Sequence, residues 1–378
     1  MSAWVRREPV VNRQMATTAS RLIVQADSAQ EAVAALNDLA DAWPTTRNVI
    51  VGLQGIAPDR ALLDWQPPAN ALLEFPAPVF ASAEGQALAA QLDAGGTPLC
   101  LGDYTPGMAL PETPKFRFAL ADASRHPQLD HAPATPLATH LADHDTFGEA
   151  VENGYSGAAG WFFLRSLPAM ANKLNPGHAQ IIHILNLVRQ NAEVAEIEAA
   201  LKKDISISFK LLRYINSAGF GLGAQIQSFR HAVTLIGYNK LNKWLSLLLV
   251  TASRDPAAPA LMQTSIVRGR FMELAAAGSI DRGQLDNLFI TGSFSLLDVL
   301  LGSKIDAVLA EMNLPEAIAD ALLRRAGPYA SWLELALACE QDDVPALAAQ
   351  AAALGLTADR INRAQIEALA FADNLQLD

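Results

Sequence analysis

Residues 209–223 read FKLLRYINSAGFGLG: an apolar run stops on Asn216-Ser217 and opens into a loop with glycines at 219, 221 and 223. Phe209, Leu212 and Ile215 recur at helical spacing, and Asp204 stands where a cap would. Asparagine tolerates the left-handed backbone that ends a helix, and its amide bonds to neighbouring backbone. The glycines allow close approach by a second helix. The physical reading is a corner between two packed helices, with Asn216 and Ser217 as structural residues. A loop that holds a ligand is the alternative, and the flanking sequence bears on the choice.

Both flanks are helical. Residues 179–190 place Ile181, Ile182, Leu185 and Val188 on one stripe, and residues 193–203 do the same with Val194, Ile197 and Leu201. Ser228 opens a helix through Ile236, Gly237 interrupts it, and residues 241–251 resume it. Further apolar stripes fit helices at 260–277, 284–301, 315–326, 329–340, 343–354 and 357–371. Strand signals vanish after about residue 165, so this part is an all-helical bundle. Trp244 and Trp332 lie on apolar stripes and are expected in its core.

The first part alternates instead. Short β-rich runs stand at 21–26, 48–53, 71–75, 98–104, 116–122, 136–142 and 160–165, with helix-like stretches at 28–41, 82–93 and 145–153 between some of them. This is the pattern of a parallel α/β sheet or barrel. The connections TPGMALPETPK (105–115) and SRHPQLDHAPATP (124–136) have no room for a full helix. A complete eight-fold α/β barrel takes about 250 residues, so a reduced, incomplete barrel is expected. The boundary falls in FLRSLPAM (163–170), giving domains 1–164 and 165–378. Phe162 and Phe163 at this junction are expected to pack between the halves.

Hydrophobic residues make up 51% and charged residues 18% of the 378 residues, which fits a folded protein and excludes a disordered one. No apolar run approaches the roughly 18 residues of a membrane span, and the start MSAWVRREPVVNRQ lacks the apolar core of a signal peptide. Cys100 and Cys339 lack metal-ligand spacing and read as buried thiols of a reducing cytoplasm. The net charge of −11 argues against nucleic acid as a main partner. Residues 165–254 nevertheless carry 11 Lys and Arg against 4 Asp and Glu, a local +7, while the flanks on either side are each −9. Two readings stay open: complementarity within the chain, or a basic face for an acidic partner or anionic ligand.

LRSLPAM, LKKDISISFKLLRYINSAGFG and IQSFRHAVTLIGYNKLNKWLSLLLV, in that order, resemble the HDOD domain, an output-type relative of HD phosphohydrolases that lacks their metal ligands. In that family the Asn-Ser motif is structural punctuation. The later residues resemble a longer form in which HDOD follows a reduced EAL domain. EAL domains are barrel-like phosphodiesterases that cut cyclic di-GMP with two metal ions. REPVVNRQ looks like their opening strand and turn, LCLGDY like their aspartate-bearing strand end, and GYSGAAGWFF like their closing strand.

The resemblance implies a degenerate site. The glutamate that names the EAL family falls on Arg21, where a guanidinium repels a cation. The first of two paired aspartates falls on Gly102, leaving Asp103. A lysine falls on Leu120, with Asp122 kept. Two glutamates fall near Thr139 and Ala142, and a glutamine falls on Ala159. Two-metal hydrolysis needs several carboxylates, so catalysis is not expected. An HD hydrolase needs an adjacent His-Asp pair, and His178, His183 and His231 are none of them followed by aspartate. His144-Asp145 lies outside the helical part. His126, His131, His140 and His144 cluster in sequence, but 136–142 reads as a strand, so they are taken as surface histidines.

The reading is a non-catalytic, cytoplasmic bacterial signalling protein that acts by protein–protein interaction, with no cofactor or metal and no nucleic-acid or membrane partner. Lys210, Arg213, Arg230, Lys240 and Lys243 are the candidate interaction residues, and Asn216, Ser217 and Gly237 the structural motif. Two alternatives are a nucleotide sensor with a remodelled pocket and a metal-dependent phosphohydrolase with an unfamiliar ligand set. Monomer or homodimer stays open.

Overall fold

The computed structural model describes residues 3–129, 131–165, 176–203, 229–251 and 257–375. Eight strands, β1 (Trp4–Asn12), β2 (Thr17–Gln25), β3 (Asn48–Leu53), β4 (Ala71–Pro76), β5 (Leu99–Gly102), β6 (Phe118–Asp122), β7 (Thr135–Thr139) and β8 (Gly157–Ala159), close into a barrel in sequence order. β1 runs antiparallel to both its neighbours, and every other adjacent pair is parallel.

Closure corrects the expectation of an incomplete barrel. The chain saves length in the helical layer and keeps all the strands. β1 reaches β2 through a turn in which Asn12 Oδ1 accepts from the backbone N–H groups of Gln14 and Ala16. An antiparallel pair needs no crossover helix. Among the described residues the connections 103–117 and 123–134 also carry no helix. α1 (Ala29–Asp38) follows β2, α2 (Ala77–Phe80) and α3 (Ala83–Ala94) follow β4, and α4 (His144–Glu152) follows β7. Ser28 caps α1 and Ser82 caps α3, each hydroxyl accepting a backbone N–H one turn on. The run expected as a strand at 160–165 is instead a single 3-10 turn, Phe162–Leu164, and the last strand is the small-residue triplet before it.

Side chains alternate along each strand, so one residue per strand forms each inner layer. Val10, Ala19, Ile50, Leu72, Cys100, Leu120, Leu137 and Ala159 build one such buried layer. Leu120 and Ala159 are thus interior packing. Phe162 is buried, stacking on Phe147 with 4.9 Å between ring centres and meeting Phe163 edge-on.

The chain divides into two compact units, residues 1–167 with 338–367, and residues 168–337 with 368–378. The expected span 165–378 is corrected here: residues 338–367 pack with the barrel. The reason is an unmet backbone edge. β8 covers only Val10–Asn12 of β1, so the opposite end of β1 lacks a strand partner on that side. Side chains of the C-terminal helix Ala358–Asn374 fill the place. Asn362 Oδ1 accepts the Val5 N–H at 2.9 Å and its amide donates to the Ala3 carbonyl at 2.9 Å, while Gln365 Nε2 donates to the Val5 carbonyl at 2.7 Å. Both side chains are buried, where an unmet backbone group is costly.

In the second unit the described residues are helical, with one isolated bridge between Ala277 and Ile280. Gly237 breaks the long helix Phe229–Val250 with φ 73° and ψ 171°, a backbone that only glycine takes easily. Trp244 is 5% exposed and packs near Phe371, which meets Phe289 edge-on. Trp332 is also buried. The residues expected to form the Asn216-Ser217 corner, with Lys210 and Arg213, lie outside the described residues. No described helix is long and apolar enough to cross a membrane.

Candidate functional site

Two residues beyond the apolar layer, toward the C-terminal ends of the parallel strands, the inner positions are Glu8, Arg21, Gly52, Glu74, Gly102, Asp122 and Thr139. In α/β barrels this end carries the chemistry. Arg21 Nε donates to Glu74 Oε2 at 2.7 Å and Nη2 donates to Oε1 at 2.8 Å, a two-point pair. Arg21 Nη1 donates to Glu8 Oε2 at 3.0 Å. Burial disfavours the charged guanidinium, yet the charges and hydrogen bonds of Glu74 and Glu8 outweigh it and raise the Arg21 pKa.

The flanking glycines make room for this pair. A Cβ at Gly102 would lie 2.7 Å from Glu74 Cγ and Oε1, and one at Gly52 would lie 3.0 Å from Oε2. Gly102 is thus a space holder for Glu74. Asp103 beside it is exposed, with φ 49°.

Asp122 stands across the same end. Its Oδ1 accepts from the Ser124 hydroxyl at 2.6 Å and from the Ser124 N–H at 2.9 Å; its Oδ2 lies 3.8 Å from His140 Nδ1 and 3.5 Å from Arg125 Nε. Partial burial opposes ionisation, but the Ser124 hydrogen bonds and the neighbouring His140 lower the Asp122 pKa. Thr139 is buried and donates to the Ala121 carbonyl at 3.2 Å. Ala142 is exposed in the loop before α4. Ser124, His140, Thr146 and Glu149 edge a pocket of about 120 Å³. His140 follows β7, whereas His144 opens α4, so the two do not share a helix face.

The chain's own C-terminal segment reaches this end. Arg6, two residues before Glu8, is 4% exposed and lies 2.6 Å from Asp342 Oδ1; it also donates to the Gln341 carbonyl at 3.2 Å and to Gln54 Oε1. Gln54 Nε2 donates to Asp342 at 3.0 Å. On the other face of β1, Arg7 pairs with Glu340 at 2.6 Å and sits 4.9 Å from the Trp161 ring centre.

These donors do not fit a two-metal centre. Glu8 and Glu74 are both bound to Arg21, and among the described residues no three His, Cys, Asp or Glu side chains form a group that could hold a metal ion.

The sequence reading placed Arg21, Gly102 and Asp122 at this end but missed Glu8, Glu74, Arg6 and Asp342. A lone carboxylate inside the apolar run ALLEF was the available signal for Glu74. The basic candidates fare differently. Lys240 is exposed. Lys243 is buried, its ammonium 2.6 Å from Glu273 and 3.5 Å from Asp286 and 4.2 Å above the Phe289 ring, which corrects its place among the interaction residues. Arg230 lies in the helix Phe229–Val250.

Residues 176–279 match the HDOD domain. The chain therefore carries an HDOD domain behind a closed eight-stranded barrel, and its similarities support an HDOD signalling family. It is 26% identical over 240 residues to the cyclic di-GMP phosphodiesterase CdgJ of Vibrio cholerae, an alignment covering 63% of this chain and 56% of that protein. It is 25% identical over 211 residues to the uncharacterized protein YuxH of Bacillus subtilis, covering 55% of this chain and 51% of that protein. The chain thus spans about half the length of these relatives. A crystal structure of an HDOD domain protein with unknown function from Geobacter sulfurreducens aligns at 15% identity with a TM-score of 0.36, covering 55% of this chain and 95% of that one.

Proposed function

We propose that this chain is a non-catalytic signalling protein of the bacterial cytoplasm, acting by protein–protein interaction through its HDOD domain. In this reading the barrel is a degenerate EAL-like domain that has kept its frame and lost its chemistry. The observation that carries it is the pairing of Arg21 with Glu74 and Glu8. A hydrolytic two-metal site needs carboxylates free to take ions and activate a water. Here the two innermost carboxylates neutralise a guanidinium instead. The similarity to CdgJ ties the reading to cyclic di-GMP signalling.

Affinity capture of the tagged full chain from its native host, read by mass spectrometry, tests the proposal. A protein partner recovered at comparable stoichiometry, and kept when Asp103 and Asp122 are replaced by asparagine, supports it. Recovery of no partner, together with metal-dependent turnover of a phosphodiester, counts against it.

A further inference from the structure

Part of the barrel mouth is occupied by the chain itself. Side chains alternate along β1 and β3, so beyond the inward Glu8 and Gly52 the next inward positions are Arg6 and Gln54. Gln54 keeps to the ladder, its N–H donating to the Val24 carbonyl at 2.9 Å. Both side chains reach one short loop, residues 339–343, which joins the helices Ala330–Ala338 and Val344–Ala353 and belongs to the same compact unit as the barrel. Arg6 Nη2 lies 2.6 Å from Asp342 Oδ1, and Gln54 Nε2 donates to the same oxygen at 3.0 Å. Arg6 Nη1 donates to the Gln341 carbonyl at 3.2 Å.

The acidic residues of this loop are held unequally. The Glu340 side chain is 5% exposed and pairs with the buried Arg7 at 2.6 Å. Asp343 caps the following helix by accepting the Ala346 N–H. The Asp342 side chain between them is 74% exposed, against 4% for its partner Arg6. An exposed carboxylate gains little from an ion pair, whereas a buried guanidinium needs an anion from whatever source. Arg6 and Gln54 thus form a three-point seat, with two donors for a carboxylate and one for the backbone carbonyl of the residue before it. That spacing belongs to a peptide and not to a free inorganic anion. Its present occupants, Gln341 and Asp342, are both exposed residues.

We propose that Arg6 and Gln54 form a receptor at the barrel mouth for an acidic peptide segment of a protein partner, and that Gln341–Asp342 is a built-in occupant which such a segment displaces. The receptor belongs to the barrel and does not depend on the interaction assigned to the HDOD domain.

Fluorescence anisotropy of the full chain with a labelled peptide of residues 340–346, EQDDVPA, tests this, since that sequence fits the seat in the structure. An occupant in cis weakens a competing peptide by the fraction of time the seat is open, so a seat closed about nine-tenths of the time weakens it about tenfold. Asp342→Ala in the protein should therefore bind the peptide about tenfold more tightly than the wild type does. Asp342→Asn, which keeps the shape without the charge, should gain in the same direction and serves as the comparison if the alanine variant does not fold. Adding Arg6→Gln to either variant should abolish the gain, and so should asparagine in the peptide at the position of Asp342. Circular dichroism confirms that the variants compared are folded. Equal peptide binding by the wild type and the Asp342 variants, or a gain that survives Arg6→Gln, overturns the proposal. A gain that single-stranded DNA of equal charge reproduces also overturns it, because that is general attraction to a cation.

Discussion

Arg21 and Glu74 meet at two points inside the barrel, with Nε and Nη2 each donating to a different carboxylate oxygen at 2.7 and 2.8 Å. The side chain of Glu74 is 8% exposed and that of Arg21 18%. Removing one partner from such a pair strands the other in a site with little water. Arg21→Met should therefore destabilise the protein by about 3–5 kcal/mol. Arg21→Met with Glu74→Met should recover much of that loss. Urea denaturation of the single and double variants checks both statements.

Gly102 is needed for space. Its added Cβ would lie 2.7 Å from Glu74 Oε1, so Gly102→Ala should cost about 1–3 kcal/mol through overpacking. In a Glu74→Ala background the same substitution should cost much less. The difference between the two backgrounds, read from denaturation midpoints, measures the clash.

Asp122 supplies a pH dependence of known sign. Its folded pKa is lowered, so its stabilisation is present above the unfolded value of about 3.9 and is lost as pH falls through the folded value. Asp122→Asn should lower stability at pH 6 and bring variant and wild type together toward pH 2. Melting temperatures across that range show whether the curves converge.

Lys240 and Lys243 should separate cleanly. Lys240 is exposed, and Lys240→Glu should change stability by no more than about 0.5 kcal/mol. Lys243 holds Glu273 and Asp286 in a buried place, and Lys243→Met should cost about 3 kcal/mol. Chemical denaturation of the two variants decides it.

Strands with short continuous apolar runs, such as residues 48–53 and 71–75, are legible because their pattern is local. β1 was legible only by resemblance, since Arg6, Arg7 and Glu8 interrupt its apolar run. Those charges are tolerated because Asp342, Glu340 and Arg21 answer them. Two of these three partners lie more than 300 residues away, beyond the reach of any local pattern. The same holds for Asn362 and Gln365, which look like ordinary polar helix residues and in fact complete the edge of β1. Chain length does not reveal barrel closure, because the shortening falls on the connections and leaves the eight strands in place.

We propose that the barrel does not hydrolyse cyclic di-GMP, and direct turnover tests this most plainly. The purified full chain is incubated with cyclic di-GMP and Mg²⁺ or Mn²⁺, and the nucleotides are separated by chromatography. The account predicts that the substrate persists unchanged, and that Arg21→Glu alone does not create activity. Linear product that depends on metal and disappears in Asp103→Asn or Glu74→Gln would contradict it.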